Sequence, residues 1–409
     1  MFHNHTPKYY NKLVLLKLRK ACNYFIGILI FCSWSSLAFS FDTIARTAIV
    51  LDEETNSIIL EKNADQPLPP ASMSKLMTLL LTFEALEEGR INLETMFRVS
   101  KKAFLKGGSK MFVEENQLVS VEDLIRGITV ASGNDACIVI AEGLNGTESS
   151  FVSRMNLKAK ELGLNHSNFT NSTGWPSPGH SMSARDLLAL AIHIRKKYPK
   201  YYHYFQETEY SWNGINQNNR NPLLSAGLGV DGLKTGHTEE AGYGLVGSSK
   251  LGNRRISFVL TGLNTKSERK FEGEKIAKWA FREFTIVDIF PENHFLLKVP
   301  VWIGSENYID LFTSEKIRVL LPYGKKNQVK AEVHIETPVV TPIAKNDIMG
   351  VLKIITPSLI LGEEKRVIEY PIVSRSNISK GNFIKKIQAT ARVAILKVIK
   401  FADISDIIN

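Results

Sequence analysis

The sequence predicts an α+β protein: an antiparallel sheet with flanking helices, then a small C-terminal all-β domain and a terminal amphipathic helix. Three observations carry this. Strand-like segments stand at both ends of the first 290 or so residues with helical segments between them, which suits one antiparallel sheet covered by helices. After about Pro291 short alternating strands, punctuated by prolines and glycines, replace the helices. From about Gly381, apolar residues recur at helical spacing with cations on the opposite side.

In chain order, residues 1–40 are expected to be an export signal. Lys8, Lys12, Lys17, Arg19 and Lys20 precede an apolar run from Tyr24 to Leu37, and Ala38-Phe39-Ser40 offers small residues at a cleavage site before Phe41. The run is short for a spanning helix, which needs about 20 residues, so cleavage is preferred to an uncleaved anchor. Half of the formal charge of +10 lies in this segment. The mild excess that remains gives no argument for a nucleic-acid partner. Cys22 and Cys32 would leave with the signal, so Cys137 would have no internal disulfide partner and is expected to pack in a core.

Ile44 to Leu51 and Ser57 to Leu60 read as a β-hairpin. Pro69-Pro70 forces extended chain up to Ala71-Ser72-Met73-Ser74-Lys75, where a helix apolar on most sides begins and runs to Gly89. Val121 to Val130 and Ala136 to Gly143 read as helices on either side of Ser132-Gly133-Asn134. Phe151 to Leu162 reads as another helix, Asn165 to Pro178 as loop, and Ser183 as the N-cap of a helix with its body over Leu187 to Ile194. Val230 to Thr238, Tyr243 to Ser249 and Arg255 to Leu263 read as strands, and Glu272 to Phe284 as a closing helix. Phe295 to Trp302, Ile317 to Leu321, Val329 to Ile335 and Ile348 to Ile355 are the strands expected of the all-β part.

Three short motifs carry the chemistry. Ser72 and Lys75, three apart at a helix start, project from one face, and a serine beside an amine is a nucleophile with a base at hand. Ser132-Gly133-Asn134 lies between two helices, and Lys234-Thr235-Gly236 lies on a strand. Singly these are weak: Ser-x-x-Lys recurs at Ser267 and Ser-x-Asn at Ser211 and Ser305. Lys-Thr-Gly occurs once, and the three motifs in this order and setting make a joint signal. Neither a Gly-x-Ser-x-Gly elbow nor a His-Glu-x-x-His motif occurs, so no metal and no cofactor is expected.

With these motifs the chain resembles the serine D-alanyl-D-alanine carboxypeptidases, the low-molecular-weight penicillin-binding proteins. The resemblance extends to Ala241-Gly242-Tyr243, to the β module with Pro300-Val301-Trp302 and to the C-terminal amphipathic segment. It implies a transpeptidase/β-lactamase-like catalytic domain, peptidoglycan stem peptides as substrates and β-lactam antibiotics as covalent ligands. Ser72 would then be the nucleophile, Lys75 its base and Ser132 the proton relay to the leaving D-alanine. Asn134 would hold Lys75 and the substrate amide, with Lys234 and Thr235 at the terminal carboxylate. Gly236 would let substrate backbone lie against the strand. The backbone N–H groups of Ser72 and His237 would form the oxyanion hole, and Arg220 and Arg269 would be further partners of the carboxylate.

The expected organisation is a signal over 1–40, a catalytic domain over 41–288, a β-rich stalk over 291–373 and a membrane-anchoring helix over 380–409. Ile384, Ile387, Ala391 and Ile395 share one face of that helix, and Lys385, Lys386, Arg392 and Lys397 lie opposite, a pattern suited to an anionic membrane surface. The protein is thus expected outside the cytoplasmic membrane, attached peripherally to its outer face. Three other readings follow in order: a D,D-endopeptidase acting on crosslinks, a β-lactamase, and a non-catalytic wall-binding scaffold. A β-lactamase typically has Ser-Asp-Asn where this chain has Ser132-Gly133-Asn134, and a scaffold would be expected to have a broken motif.

Overall fold

The computed structural model describes residues 41–336, 339–360 and 365–381. The expected signal (1–40) and the expected terminal helix from residue 382 onward lie outside the described residues. The hairpin near the start is β1 (Thr47–Asp52) and β2 (Ser57–Lys62). A single 3-10 turn, Ala71–Ser74, then feeds α1 (Lys75–Glu87), which is buried on all sides from Lys75 to Phe83. Over that length the helix has no solvent face and forms the middle of the core.

A short pair, β3 (Met96–Arg98) and β4 (Leu118–Ser120), brackets the small helix α2 (Lys101–Leu105). The helices α3 (Val121–Thr129), α4 (Asn134–Asn145), α5 (Glu148–Glu161) and α6 (Ala184–Lys197) follow. Hydroxyl caps fix the starts of α3, α5 and α6: Ser120 accepts from Asp123 N, Thr147 from Ser150 N and Ser183 from Asp186 N, each at 3.1 Å. A small hairpin, β5 (Glu209–Trp212) and β6 (Ile215–Asn218), precedes the main strands β7 (Val230–Thr238), β8 (Gly242–Leu251) and β9 (Arg254–Leu263). The helix α7 (Lys266–Arg282) completes this part.

The expected antiparallel sheet is present, in the order β2-β1-β9-β8-β7. Gly244–Ser249 and Ile256–Thr261 are buried without alternation, because helices cover both faces of the central strands. β7, by contrast, is an outer strand with one free edge. α7 begins at Lys266, six residues before the expected Glu272. Thr265 caps it, accepting from Glu268 N at 3.0 Å, while the mostly polar first turn hides the helical period in the sequence.

The C-terminal part is β throughout, as expected, and holds more strands than the sequence reading found. β10 (Phe284–Phe290) spans the interval at which that reading divides the chain, and it pairs with β13 (Ile317–Pro322). β11 (Phe295–Trp302), β12 (Tyr308–Thr313), β14 (Lys330–Ile335), β15 (Val339–Val340), β16 (Ile348–Pro357) and β17 (Lys365–Ser374) form a second sheet, in the order β14-β16-β17-β12-β11-β15. Pro371 disguises β17 in the sequence. It stands opposite Val351 of β16, while β12 pairs only with Ile372–Ser374, so the β12 side of the strand has no ladder at the proline.

The described residues from Thr43 onward form one compact unit. The two β systems meet at the β1–β2 hairpin: Arg318 of β13 pairs with Glu54, and Arg366 of β17 donates to Ser57 Oγ at 2.8 Å.

Candidate active site

The 3-10 turn places Ser72 just ahead of α1 and Lys75 on the helix's first residue. Lys75 is 0% exposed. Its Nζ donates to three oxygens: Ser72 Oγ at 2.8 Å, Asn134 Oδ1 at 2.7 Å and the Thr173 carbonyl at 2.5 Å. Burial pushes its ammonium down to about 8. Two of the three partners can only accept. When the ammonium loses one proton, those two retain the remaining hydrogens, and the lone pair faces Ser72 Oγ. Asn134 is oriented for this by its own Nδ2, which donates to the Gly107 carbonyl at 2.8 Å.

Ser132 stands between α3 and α4 at φ +58°, a left-handed conformation that costs a non-glycine residue about 1–3 kcal/mol. The flanking backbone holds it there: Gly133 N donates to Gly127 O at 2.9 Å, and Asn134 N to Ser109 O at 2.7 Å. Ser132 Oγ accepts from Lys234 Nζ at 2.9 Å, and Lys234 also donates to the Thr235 carbonyl at 3.2 Å. Burial pushes the Lys234 ammonium well below the usual lysine range. The charge of Lys75 adds to this, and those of Arg269 and Arg220 do so further.

Lys234 is carried by β7, and the start of that strand is locked by Asp231. Its carboxylate accepts from Arg255 Nη1 at 2.8 Å, from Arg255 Nη2 at 2.6 Å and from Tyr202 Oη at 3.1 Å. Gly236 has a reason beyond the one the sequence suggests. A Cβ there would lie 2.9 Å from Pro70 O and 3.2 Å from Ala71 Cβ, so the missing side chain lets β7 pack against the turn that holds Ser72. The His237 side chain is exposed and stacks on Tyr243, with ring centroids 3.8 Å apart. Thr235 is buried beside Lys234.

Arg269 lies on the first turn of α7. Its Nη2 donates to the Arg220 carbonyl at 3.3 Å, its guanidinium lies 5.6 Å from the centre of the Tyr243 ring, and its Nε has no partner among the described residues. Arg220 is exposed and donates to Gln217 Oε1 at 3.2 Å. Among the described residues no carboxylate pairs with Lys75, Lys234, Arg220 or Arg269. The site is therefore a cluster of uncompensated cations beside a serine, which is chemistry suited to a substrate that brings its own carboxylate.

Two residues escaped the sequence reading, and both act on backbone. Asp135, fully buried, accepts from Met111 N at 3.0 Å, Phe112 N at 2.9 Å, Val113 N at 3.3 Å and Ala136 N at 2.9 Å, tying the loop after Gly107 to α4. An acid in the first turn of a helix was the available signal. Asn171 Oδ1 accepts from Thr173 N at 3.1 Å, Gly174 N at 2.8 Å and Trp175 N at 3.1 Å, which shapes the turn that presents the Thr173 carbonyl to Lys75. Its signal was an asparagine two residues before Thr-Gly. Cys137 is free and buried, and burial pushes its thiol up to about 12, as befits a packed residue.

A family model described as D-alanyl-D-alanine carboxypeptidase matches residues 36–265, and one described as the C-terminal domain of penicillin-binding protein 5 matches residues 284–380. The chain is 36% identical to the D-alanyl-D-alanine carboxypeptidase DacF of Bacillus subtilis, over 85% of this chain and 89% of that one. It is 35% identical to the D-alanyl-D-alanine carboxypeptidase DacC of Escherichia coli, over 84% and 86%. Penicillin-binding protein 5 from Haemophilus influenzae superposes with a TM-score of 0.72 at 31% identity, covering 83% of this chain and 99% of that structure.

Because Asp135 satisfies four backbone N–H groups, three of them on buried residues, Asp135→Ala should lower the free energy of unfolding by about 2–4 kcal/mol. The denaturant midpoint at constant m measures this. An unchanged midpoint would show that the loop holds itself.

Proposed function

We propose a mechanism and residue roles from one premise: the chain belongs to the D-alanyl-D-alanine carboxypeptidase family. It is a serine-type carboxypeptidase that removes the terminal D-alanine from peptidoglycan stem pentapeptides through an acyl-enzyme, and it binds penicillin covalently. The contact of 2.8 Å between Lys75 Nζ and Ser72 Oγ carries the assignment of roles.

In this reading Ser72 Oγ attacks the carbonyl carbon between the two D-alanines, and its proton passes to neutral Lys75. The oxyanion lies against the backbone N–H groups of Ser72 and His237. As the C–N bond breaks, Ser132 gives its hydroxyl proton to the leaving D-alanine nitrogen and takes one from Lys75. Ser132 suits this relay because it accepts from Lys234 and keeps its own hydrogen to donate. Lys75, neutral again, then draws a proton from water as that water attacks the ester; the C–O bond breaks and Ser72 recovers its proton. Asn134 holds the substrate amide, and Gly236 keeps β7 close to Ser72.

Lys234, Thr235, Arg220 and Arg269 receive the terminal carboxylate. Its arrival supplies the negative charge these cations lack and raises the proton affinity of Lys234. A substrate without that charge would leave the cations unpaired.

The proposed organisation is a signal over 1–40, a catalytic domain over 41–288, a β-rich stalk over 291–373 and an amphipathic anchor over 380–409. No helix among the described residues is long and apolar enough to cross a membrane. Attachment to the outer face of the cytoplasmic membrane is assigned to the anchor because its cations suit anionic lipid.

D-alanine release from a pentapeptide muropeptide should be lost by about a thousandfold or more in Ser72→Ala, together with penicillin labelling. Labelling of that variant at another serine would refute the nucleophile. Absent release by a wild-type protein that still binds penicillin would move the reading to a D,D-endopeptidase.

A base must be neutral to act, so the rate constant for penicillin acylation should rise about tenfold per pH unit below pH 8 and level off above it. Lys75→Arg, whose side chain stays protonated, should acylate at least about a hundredfold more slowly and lack this rise. A wild-type rate flat from pH 6 to 9 would exclude Lys75 as the base.

Removing the residues after Ser379 should release the protein from membranes and spare its activity. Unchanged sedimentation with membranes would count against the anchor.

A further inference from the structure

Of the three oxygens on Lys75, the Thr173 carbonyl is the one whose placement needs a cause outside its own loop. Ser72 is set by the 3-10 turn and Asn134 by Gly107. Thr173 lies between α5 and α6, outside any helix or strand. Asn171 shapes that turn from within, which leaves the turn free to move as a unit unless something else holds it.

Ser172, fully buried, is where it is held. Its carbonyl accepts from Thr78 Oγ1 at 2.7 Å, and Thr78 stands one turn after Lys75 on α1. Two successive carbonyls, of Ser172 and Thr173, thus accept from two neighbours on one helix face. On its other side Ser172 donates twice to one oxygen: its N–H and its Oγ lie 3.0 and 2.7 Å from Glu148 Oε1. Glu148 opens α5 with its side chain only 11% exposed, and its Oε2 pairs with Lys102 Nζ at 2.7 Å. Burial raises the proton affinity of Glu148, but the contacts with Lys102 and Ser172 outweigh it and hold the carboxyl below its usual range. An ionised carboxylate only accepts, so both hydrogens of Ser172 are fixed. Lys102 lies on α2, and the chain leaving that helix carries Gly107, whose carbonyl orients Asn134. One carboxylate therefore joins the segments on which two of the three partners of Lys75 depend.

We propose that Glu148 is a positioning residue for acyl transfer: by holding Ser172 it fixes the Thr173 carbonyl on Lys75, and so keeps the lone pair of the neutral amine aimed at Ser72. The proposal rests on the reading of Lys75 as base and adds to it the group that aims that base.

The test is the rate constant for penicillin acylation per titrated site, measured on the mature full-length protein from about pH 6 to 9. Glu148→Ala should lower the plateau about tenfold or more, since the base is then misaimed. Its inflection should move below that of the wild type, because the ammonium loses an acceptor. Glu148→Gln keeps an oxygen for Ser172, while Lys102, more than half exposed, can turn to solvent, so this variant should recover most of the rate. Ser172→Ala should slow acylation about threefold, and adding it to Glu148→Ala should cost less than about twofold more. Fewer titratable sites with an unchanged plateau and inflection in Glu148→Ala would show a residue that only stabilises the fold, and would overturn the proposal. So would a Gln variant as slow as the Ala variant, or fully additive losses. Should Glu148→Ala fail to accumulate, Ser172→Ala decides, and a wild-type rate in that variant overturns the proposal. A wild-type profile flat with pH removes Lys75 as base and the role of Glu148 with it, whereas variants that follow a rising wild-type profile remove the role of Glu148 alone.

Discussion

The burial of one lysine amine organises this molecule. A cation with no exposure and no carboxylate partner is costly, and Lys75 is held by three neutral oxygens instead. Each comes from a different segment: the turn before α1, the start of α4 and the loop around Thr173. The same burial brings the amine to a proton affinity at which the neutral form is within reach near neutral pH, which the proposed role of base requires. A carboxylate in any of the three positions would satisfy the ammonium better and hold its proton too firmly for a base.

Keeping those segments in place falls to groups that hydrogen-bond to backbone and side chains around Lys75 and β7. Asp135 gathers the N–H groups of residues 111–113, Asn171 gathers those of 173–175, and Asp231 fixes β7 through Arg255 and Tyr202. All three accept several hydrogen bonds at once, so each converts a flexible stretch into a defined wall of the site. Ser132 in its left-handed conformation is a product of the same restraint.

The sheet divides its duties between its two sides. β7 leaves an edge open where a peptide can add as a strand, whereas the hairpin at the other side carries the contacts with the β-rich part. The catalytic cleft and the C-terminal β system are thereby served by opposite borders of one sheet. The contacts to the hairpin involve exposed or half-buried arginines, so they position the β-rich part without adding to the core.

The sequence by itself determined the antiparallel sheet, the buried helix after Ser72 and the residues Ser72, Lys75, Ser132, Asn134 and Lys234, because hydrophobic period and short motifs are local signals. It also indicated the β character of the C-terminal part, though β10, β15 and β17 were obscured by a neighbouring helix pattern, by short length and by Pro371, and β12 went unread. Only the tertiary structure decided what those side chains meet. The carbonyls of Thr173 and Gly107 carry no side-chain signature, so their roles at Lys75 and Asn134 appear only once the loops are folded. Gly236 looked like clearance for a substrate and turns out to be clearance for the turn of Ser72 as well. Arg269 and Arg220 lie 49 residues apart in sequence, and only the packing of α7 against the sheet brings one guanidinium to the other's backbone. Chemistry is written in residue types, but the proximity that activates them depends on contacts between distant segments, which no local pattern records.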